Sequence, residues 1–463
     1  MPTFELRSLV ERFKGAMSEN ARIGGLAIDT RKIKNGDLFV ALKGERVDGH
    51  DYVVKAREAG AAAAIVEHPV DDPLPQWQVQ DAERAMGEVA SCFRERFEGR
   101  VAAVTGSNGK TTTRNLIASI CRAAGPTLAT EGNLNNHLGC PLTLSRLAGQ
   151  SYAVIELGAS GLGEIAWTAS LAKPHVSLIT NASGAHLKGF GSLAGIRKAK
   201  GEILDHLPED GVAVLNLDDP AYEEWEQRSP AKVFAFSLHN PSAKVYLRSV
   251  STEPDGTMQM AVVIRGYGQF NARMPLLGMH NAQNACAAVA VAHALGVDMG
   301  AMMRGLESVR PEPGRLCPRK LRSGQLILDD SYNANPTSMR AGLEVLTSMP
   351  GPHVAVLGSM GELGDEEVSL HQALGKTAKA MGVDYLVCAG VFAADMARGF
   401  GEGAVAVEDA ARAAEWLKNN MTADKAATML VKGSRSAHME IVVRALCDQW
   451  GEQDALLADT MAD

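Results

Sequence analysis

The chain has 463 residues, too many for one small domain, since domains cluster near ~100–200 residues. It is 46% hydrophobic and 22% charged, an ordinary globular balance that excludes wholesale disorder. A formal net charge of −8 argues against a general nucleic-acid-binding surface, so an anionic substrate would need a local positive site. Seven widely spaced cysteines form no C-x-x-C pair and read as reduced, buried thiols of a cytoplasmic protein. Charges at Glu5, Arg7, Glu11, Arg12 and Lys14 interrupt the start, and no run approaches the ~18 apolar residues of a membrane span.

Taken in chain order, three regions read differently. The first, residues 1–84, mixes the apolar runs Leu38–Leu42 and Ala61–Val66 with turns at Asn35-Gly36-Asp37 and Asp48-Gly49. It ends in a proline-rich patch, Pro69 to Pro75, and reads as a small α/β domain. The second, residues 85–312, opens on a helix-like stretch from Asp81. Short β-type runs follow at Val101–Val104, Ala153–Ile155, Val176–Ile179, Val212–Leu215 and Val233–Phe236, with helical stretches between several of them. Such alternation predicts a mostly parallel sheet covered on both faces. Between Ala243 and Pro275 two or three extended runs, split at Asp255-Gly256 and Gly266, predict an antiparallel addition. An Ala-rich helix, Asn281–Leu295, then stops at Gly296. Pro311-Glu312-Pro313-Gly314 is the strongest linker signal. Beyond it, residues 313–463 form a second α/β unit with strands at Leu326–Leu328, Val354–Leu357, Tyr385–Cys388 and Met429–Val431.

The sharpest local signal is Val101–Val104 running into Thr105-Gly106-Ser107-Asn108-Gly109-Lys110-Thr111-Thr112-Thr113. A strand stops, a Gly-rich turn follows, and a helix begins near Lys110. Glycines let backbone N–H groups turn inward around phosphate oxygens, the helix N-terminus adds partial positive charge, and Lys110 supplies a full one. The Thr111 hydroxyl is placed to ligate Mg²⁺. The longer phosphate loop would have Gly where Val104 stands, so the pattern is the shorter G-x-x-G-K-T. It says nucleotide phosphate without saying which reaction.

Other polar groups fall on strand-end loops of the same region, which face the ligand crevice of a parallel sheet. Glu156 closes the run Ala153–Ile155 and can bind Mg²⁺. His186 follows Val176–Ile179, although a lone histidine there is as readily structural. Lys200 sits in Arg197–Leu204, where basic residues usually form a solvated face. Asn133, Asn135, Asn136 and His137 make a dense polar loop, for which ordinary turn chemistry is the alternative. Asn281 can cap the Ala-rich helix, and Asn284 can face a base.

The ordered set of motifs resembles the Mur ligase family, ATP-dependent ligases of cell-wall precursor synthesis. The set runs through Asp29-Thr30-Arg31, Gly36–Gly44, Thr105–Thr113, Glu156-Leu157-Gly158, Asn181 to His186, Ala199-Lys200 and Asn216–Asp219. It continues through Gly278–Asn284, Pro313-Gly314-Arg315, Asp329–Pro336 and Val431–Ser436. Leu157 and Ser183-Gly184 depart slightly from the family pattern. Asn-Leu-Asn-Asn-His, Ser-Tyr-Asn-Ala-Asn-Pro and Lys-Gly-Ser-Arg resemble the member that joins D-alanyl-D-alanine to UDP-N-acetylmuramoyl-tripeptide.

The resemblance implies an α/β protein of three domains: a small N-terminal uridine-nucleotide domain, a central ATP domain of P-loop type, and a C-terminal Rossmann-like dipeptide domain. It implies ATP and Mg²⁺, small-molecule partners, and an acyl phosphate attacked by an amine. Gly106, Ser107, Asn108, Gly109, Lys110, Thr111 and Thr112 would hold the phosphates, with Thr111 and Glu156 on one metal. His186 and a carbamylated Lys200 would hold a second metal. Asn284 would read adenine, Arg315 would reach the phosphates and Asp330 the ribose. Arg31, Leu42 and Lys43 are expected at the uridine diphosphate, although Arg31 can instead pair with Asp29 or Asp37. Asn133, Asn136, Tyr332, Asn333, Asn335, Lys432 and Arg435 are expected at the other substrates. A cytoplasmic monomer is expected. A tripeptide-forming ligase, a folylpolyglutamate synthetase-like ligase and a non-enzymatic nucleotide switch are the alternatives.

Overall fold

The computed structural model describes residues 2–183, 187–253, 256–421 and 426–453. Three main sheets divide the chain in sequence order. The first has strand order Ala16–Met17, Gln76–Gln78, Ala63–Val66, Asp37–Val40, Gly25–Ala27, parallel except at the Ala16–Met17 edge. The proline patch therefore does not end this unit, because Gln76–Gln78 beyond it still pairs with Ala63–Val66. That strand carries one buried apolar residue, Trp77, too little alternation to be read as a strand in advance.

The central sheet has nine strands, and Arg100–Thr105 lies between Tyr152–Glu156 and Val176–Ile179. After Arg100–Thr105 the chain builds Thr127–Ala129 and Tyr152–Glu156 on one side, then crosses to Val176–Ile179, Val212–Asn216 and Lys232–Phe236 on the other. The reversal makes the end of Arg100–Thr105 a topological switch point, where parallel sheets open a ligand crevice. Val245–Thr252, Met258–Ile264 and Gly268–Met274 extend the sheet as the expected antiparallel addition. Period-two alternation sends Val101, Ala103, Ala153 and Ile155 to one core and Ala102, Val104 and Val154 to the other. The helices Lys110–Ala124 and Met279–Ala294 share the second core.

The first core runs without a break from Phe4, Leu26, Leu38 and Trp77 in the N-terminal region to Ile155, Ile179 and Trp225 in the central one. Helix Ala82–Glu95 contributes Met86, Val89 and Phe93 to it and joins the two units. Arg146 reinforces the junction, donating to both carboxylate oxygens of Asp37 at 2.8 Å.

The C-terminal sheet has order Cys317–Lys320, Leu326–Asp330, Thr428–Lys432, His353–Gly358, Tyr385–Ala389, Ala404–Val407, parallel after its first hairpin. Alternate residues again feed two cores, Leu328, Ala355 and Leu430 to one, Ile327, Val354 and Met429 to the other. All seven cysteines are free, and burial pushes the Cys121 and Cys140 thiols up to about 12. Among the described residues, no helix is long and apolar enough to cross a membrane.

Candidate active site

The turn after Arg100–Thr105 needs its glycines. Gly106 lies at φ 146° and a Cβ there would collide with the Thr180 hydroxyl. Gly109 lies at φ 79°, in the left-handed region, and a Cβ there would stand 2.6 Å from Asn284 Oδ1. Neighbouring strand-end residues brace the loop. Asn181 Oδ1 accepts from the Asn108 N–H at 3.0 Å, Thr180 Oγ1 donates to the Asn108 carbonyl at 2.7 Å, and the Ser107 N–H donates to the Asn181 carbonyl at 2.9 Å. Asp219 in turn accepts from the Ala182 N–H at 2.8 Å.

Helix Lys110–Ala124 starts at the end of this loop. Lys110 Nζ donates to the Gly106 and Ser107 carbonyls at 2.8 and 3.2 Å. Burial holds its pKa below the ordinary lysine value; the Glu156 carboxylate opposes that shift and Arg315 adds to it. One residue on, Thr111 Oγ1 donates to Glu156 Oε1 at 3.2 Å. Asn135 Nδ2 donates to the same oxygen at 2.7 Å.

Glu156 is 1% exposed, and its Oε2 is buried with no hydrogen-bond partner among the described residues. An unsatisfied carboxylate oxygen beside a threonine hydroxyl and a phosphate loop is a hard oxygen donor set, which suits Mg²⁺. Among the described residues no cluster of three or more His, Cys, Asp or Glu could hold a metal. Thr111 and Glu156 therefore fit a metal whose remaining ligands come from phosphate and water.

The opposite wall belongs to the C-terminal unit. Arg315 Nη2 donates to Thr111 Oγ1 at 3.0 Å, and its guanidinium lies 4.3 Å from the Tyr332 ring centroid. Asp330 and Lys432 are register partners on adjacent strands, and their side chains pair at 2.6 Å. Burial raises the Asp330 pKa against the pull of Lys432. Lys432 Nζ also donates to the Asn333 carbonyl at 2.9 Å, so its charge is already engaged. Asn335 caps helix Pro336–Ser348 through the Ser338 N–H and donates from Nδ2 to Asn108 Oδ1 at 2.7 Å. Two hydrogen bonds, Arg315–Thr111 and Asn335–Asn108, thus cross the cleft.

The cleft has a volume of about 710 Å³ and gathers most of the residues expected from sequence. Ser107 to Thr112, Asn133, Asn136, Glu156, Asn284, Arg315, Asp330, Tyr332, Asn333, Asn335 and Lys432 all line it. Asn136 Oδ1 is occupied by the Gly139 N–H at 2.8 Å, and Asn284 Nδ2 donates to Asn281 Oδ1 at 2.9 Å. Arg435 lies outside the cleft, beside a neighbouring cavity of about 410 Å³, and its guanidinium stands 3.5 Å from Glu440.

Lys200 is buried on helix Leu193–Gly201 behind the wall, with Nζ 5.1 Å from the Phe190 ring centroid. Burial, with the nearby Lys110 charge, lowers it to about 7. Glu202 does not pair with it. The Glu202 carboxylate accepts from the Gly163 and Ala166 N–H groups at 2.8 and 3.1 Å, at the start of helix Glu164–Ala172. His186 lies outside the described residues.

Arg31, Leu42 and Lys43 do not line the cleft. The Arg31 guanidinium is 86% exposed and bonds Asp29 in a fork at 2.9 and 2.7 Å. The alternative partner, Asp37, belongs to Arg146.

Sequence reasoning did not single out Arg114, Asn135 and Asn181 as site residues. Arg114 stands four residues after Lys110, one helical turn away, and that spacing was its only signal. Asn135 and Asn181 sat in polar loops where asparagines are equally turn formers.

A phosphate loop at a switch point, with a buried carboxylate beside it and an arginine of the C-terminal unit bonded to its threonine, points to a nucleotide-dependent α/β enzyme of several domains. Three family models match: the Mur ligase family, catalytic domain over residues 22–94, the Mur ligase middle domain over 104–292, and the Mur ligase, glutamate ligase domain over 314–435. The chain is 44% identical to the UDP-N-acetylmuramoyl-tripeptide–D-alanyl-D-alanine ligase of Escherichia coli (strain K12), over 92% of this chain and 94% of that protein. It superposes on a crystal structure of MurF from Acinetobacter baumannii with a TM-score of 0.90 at 36% identity, covering 97% and 100% of the two chains. A MurF ligase from Thermotoga maritima in complex with ADP gives a TM-score of 0.80 at 28% identity, covering 92% and 97%. The chain belongs to the Mur ligase family. It is an ATP-dependent ligase that forms a C–N bond.

Proposed function

We propose that this enzyme joins D-alanyl-D-alanine to UDP-N-acetylmuramoyl-tripeptide at the expense of ATP, forming the pentapeptide precursor of peptidoglycan. The observation that carries the reading is the cleft in which Lys110, Thr111 and Glu156 of the central unit meet Arg315 and Asp330 of the C-terminal one. Residues 1–84 would hold the uridine nucleotide, 85–312 ATP and 313–463 the dipeptide. The substrates are soluble small molecules, consistent with work in the cytoplasm.

ATP transfers its γ-phosphoryl group to the tripeptide's terminal carboxylate, and the dipeptide amine then displaces phosphate from the acyl phosphate. The first step brings anions together, so stabilising charge is the chief requirement. Lys110 leaves its loop carbonyls to meet the γ-phosphate. Thr111 and Glu156 would hold Mg²⁺, which would supply charge neutralisation at the phosphates. Arg315 acts from the far wall, which makes closure a condition of phosphoryl transfer. Asn284, which stands beside Gly109, would read the adenine and Asp330 would take the ribose. Arg31, Leu42 and Lys43 would meet the uridine diphosphate after Arg31 exchanges its Asp29 partner. Asn133, Asn136, Tyr332, Asn333 and Asn335 would contact the peptide substrates, and Arg435 and Lys432 the dipeptide carboxylate.

Lys200 would act as a carbamate beside His186, on a second metal. Its Nζ lone pair adds to CO₂ and a proton leaves to solvent, which turns a cation into a carboxylate-like ligand. Burial supports this, because it favours the neutral amine over the opposing pull of Glu164 and Glu202.

The test is phosphate release by purified protein with ATP and Mg²⁺, with and without each acceptor. Release that requires both UDP-muramoyl-tripeptide and D-Ala-D-Ala supports the reading. Turnover with a free amino acid in place of the dipeptide would favour a tripeptide-forming or folylpolyglutamate-type ligase. Turnover indifferent to both acceptors would favour a nucleotide switch. Omitting the dipeptide should leave an acyl phosphate that hydroxylamine traps.

A further inference from the structure

Arg114 lies one turn beyond Lys110 on the phosphate-loop helix and is 3% exposed. Its Nη1 donates to the Gly132 carbonyl at 2.9 Å, and Nε and Nη2 donate to Asn115 Oδ1 at 3.1 and 2.8 Å. Its charge faces two carboxylates. Nη1 stands 3.4 Å from Glu156 Oε2, and Nη2 stands 3.6 Å from Glu312 Oε2. Asn115 Nδ2 donates to that same Glu312 oxygen at 2.7 Å. One buried cation is therefore shared between the proposed metal carboxylate and the Pro311–Gly314 linker.

The contact with Glu156 compensates charge without filling the oxygen, since Oε2 has no hydrogen-bond partner among the described residues. Removing a cation that faces a buried carboxylate is costly, and placing a second cation beside the first is also costly. A divalent ion held by Glu156 would take over that carboxylate's charge and repel the guanidinium. The remaining carboxylate within reach is Glu312.

We propose that Arg114 is a positioning residue that couples metal binding at Glu156 to the linker through Glu312. With the metal absent it is shared between Glu156 and Glu312; with the metal bound its attraction would shift to Glu312 and tighten the contact that Asn115 already makes between the linker and the phosphate-loop helix. Closure of the C-terminal unit then follows metal–nucleotide binding rather than nucleotide alone. The inference rests on the reading of Thr111 and Glu156 as a metal site.

The experiment measures Mn²⁺ binding by electron paramagnetic resonance in the presence of ADP, and compaction by small-angle X-ray scattering with ADP alone and with ADP and Mg²⁺. Full-length Arg114→Met, Arg114→Lys and Glu312→Gln proteins are compared with the parent. Arg114→Met should bind Mn²⁺ about threefold tighter or more, because repulsion is removed. It should nevertheless lose the metal-dependent compaction, and kcat should fall about tenfold. Arg114→Lys should restore parental Mn²⁺ affinity and part of the compaction. Glu312→Gln, altered at a partly exposed linker position, should keep parental Mn²⁺ affinity and lose compaction.

Tighter metal binding with slower turnover is a combination that damaged packing does not produce. Mn²⁺ affinity and kcat falling together in Arg114→Met would overturn the proposal. So would full compaction in Glu312→Gln, or compaction of the parent by ADP alone. A parent that binds no Mn²⁺ with ADP would instead sink the metal site, and with it the wider functional reading.

Discussion

The phosphate loop of the central-unit wall is assembled within one strand–loop–helix segment, whereas the C-terminal wall draws its groups from strand ends about a hundred residues apart. In the first, Gly106, Gly109, Lys110 and Thr111 take their places from local backbone geometry. In the second, Asp330 meets Lys432 only because strands Leu326–Asp330 and Thr428–Lys432 are neighbours in register. Charges on the C-terminal wall are engaged with each other or across the gap, as Asp330–Lys432 and Arg315–Thr111 are. Among the described residues, the central wall keeps a carboxylate oxygen without a hydrogen-bond partner and a lysine bonded to loop carbonyls. The chemistry proposed above therefore falls mainly on the central wall, and the proposed control of access on the C-terminal one.

Substitutions can break this contrast. The largest effect is expected from Lys110→Ala, which should lower kcat/KM by about a hundredfold to a thousandfold. Its melting temperature should stay level or rise, because burial disfavours the ammonium it removes. Near-normal turnover would take the chemistry off the central wall. Lys200→Ala comes next, with most activity lost and partly restored by acetate, while Lys200→Arg stays inactive despite keeping its charge. Since the Lys200 amine is lowered to about 7, its neutral form grows as pH rises through that value. Bicarbonate stimulation of initial rates should therefore be stronger at pH 8 than at pH 6, and the reverse order would count against the carbamate. For the unmodified lysine the same lowering makes folding less favourable as pH falls from the ordinary lysine range toward about 7.

Asn335→Ala probes the other wall. It removes a helix cap worth about 1 kcal/mol and the bond to Asn108. Calorimetry should find a melting temperature lower by a few degrees, and kinetics a raised KM for ATP with kcat less affected. A kcat loss as large as that of Lys110→Ala would erase the distinction between the walls. The smallest effect is expected from Arg31→Ala. Its exposed pair with Asp29 should contribute nothing measurable to melting, while KM for the uridine substrate rises and kcat holds. An unchanged KM would remove Arg31 from that pocket.

What could be read from the sequence follows the same division. The phosphate loop was legible because its function needs residue types at fixed spacing within nine positions. The inner strands of the central and C-terminal sheets were legible because burial leaves short unbroken apolar runs, whereas the partly exposed edge strands Thr127–Ala129, Cys317–Lys320 and Ala404–Val407 were not. Gln76–Gln78 and Gly25–Ala27 were not, being three residues long with too little pattern. The pairing of Lys432 with Asp330 was invisible because it depends on strand order. Arg114 was hidden for a different reason: a basic residue on a helix is usually solvated, and only the approach of Glu156 and Glu312 makes it buried.

The unbroken apolar core between the N-terminal and central units has a consequence for how the molecule comes apart. Residues from Phe4 to Trp225 share that core, while the C-terminal cores are built from their own strands and helices, with Leu277 reaching in from the central side. Nominally three-part, the protein should melt as two cooperative blocks rather than three. A protease that cuts near Pro311–Gly314 should release a single folded two-lobed fragment, and further digestion should not separate its lobes.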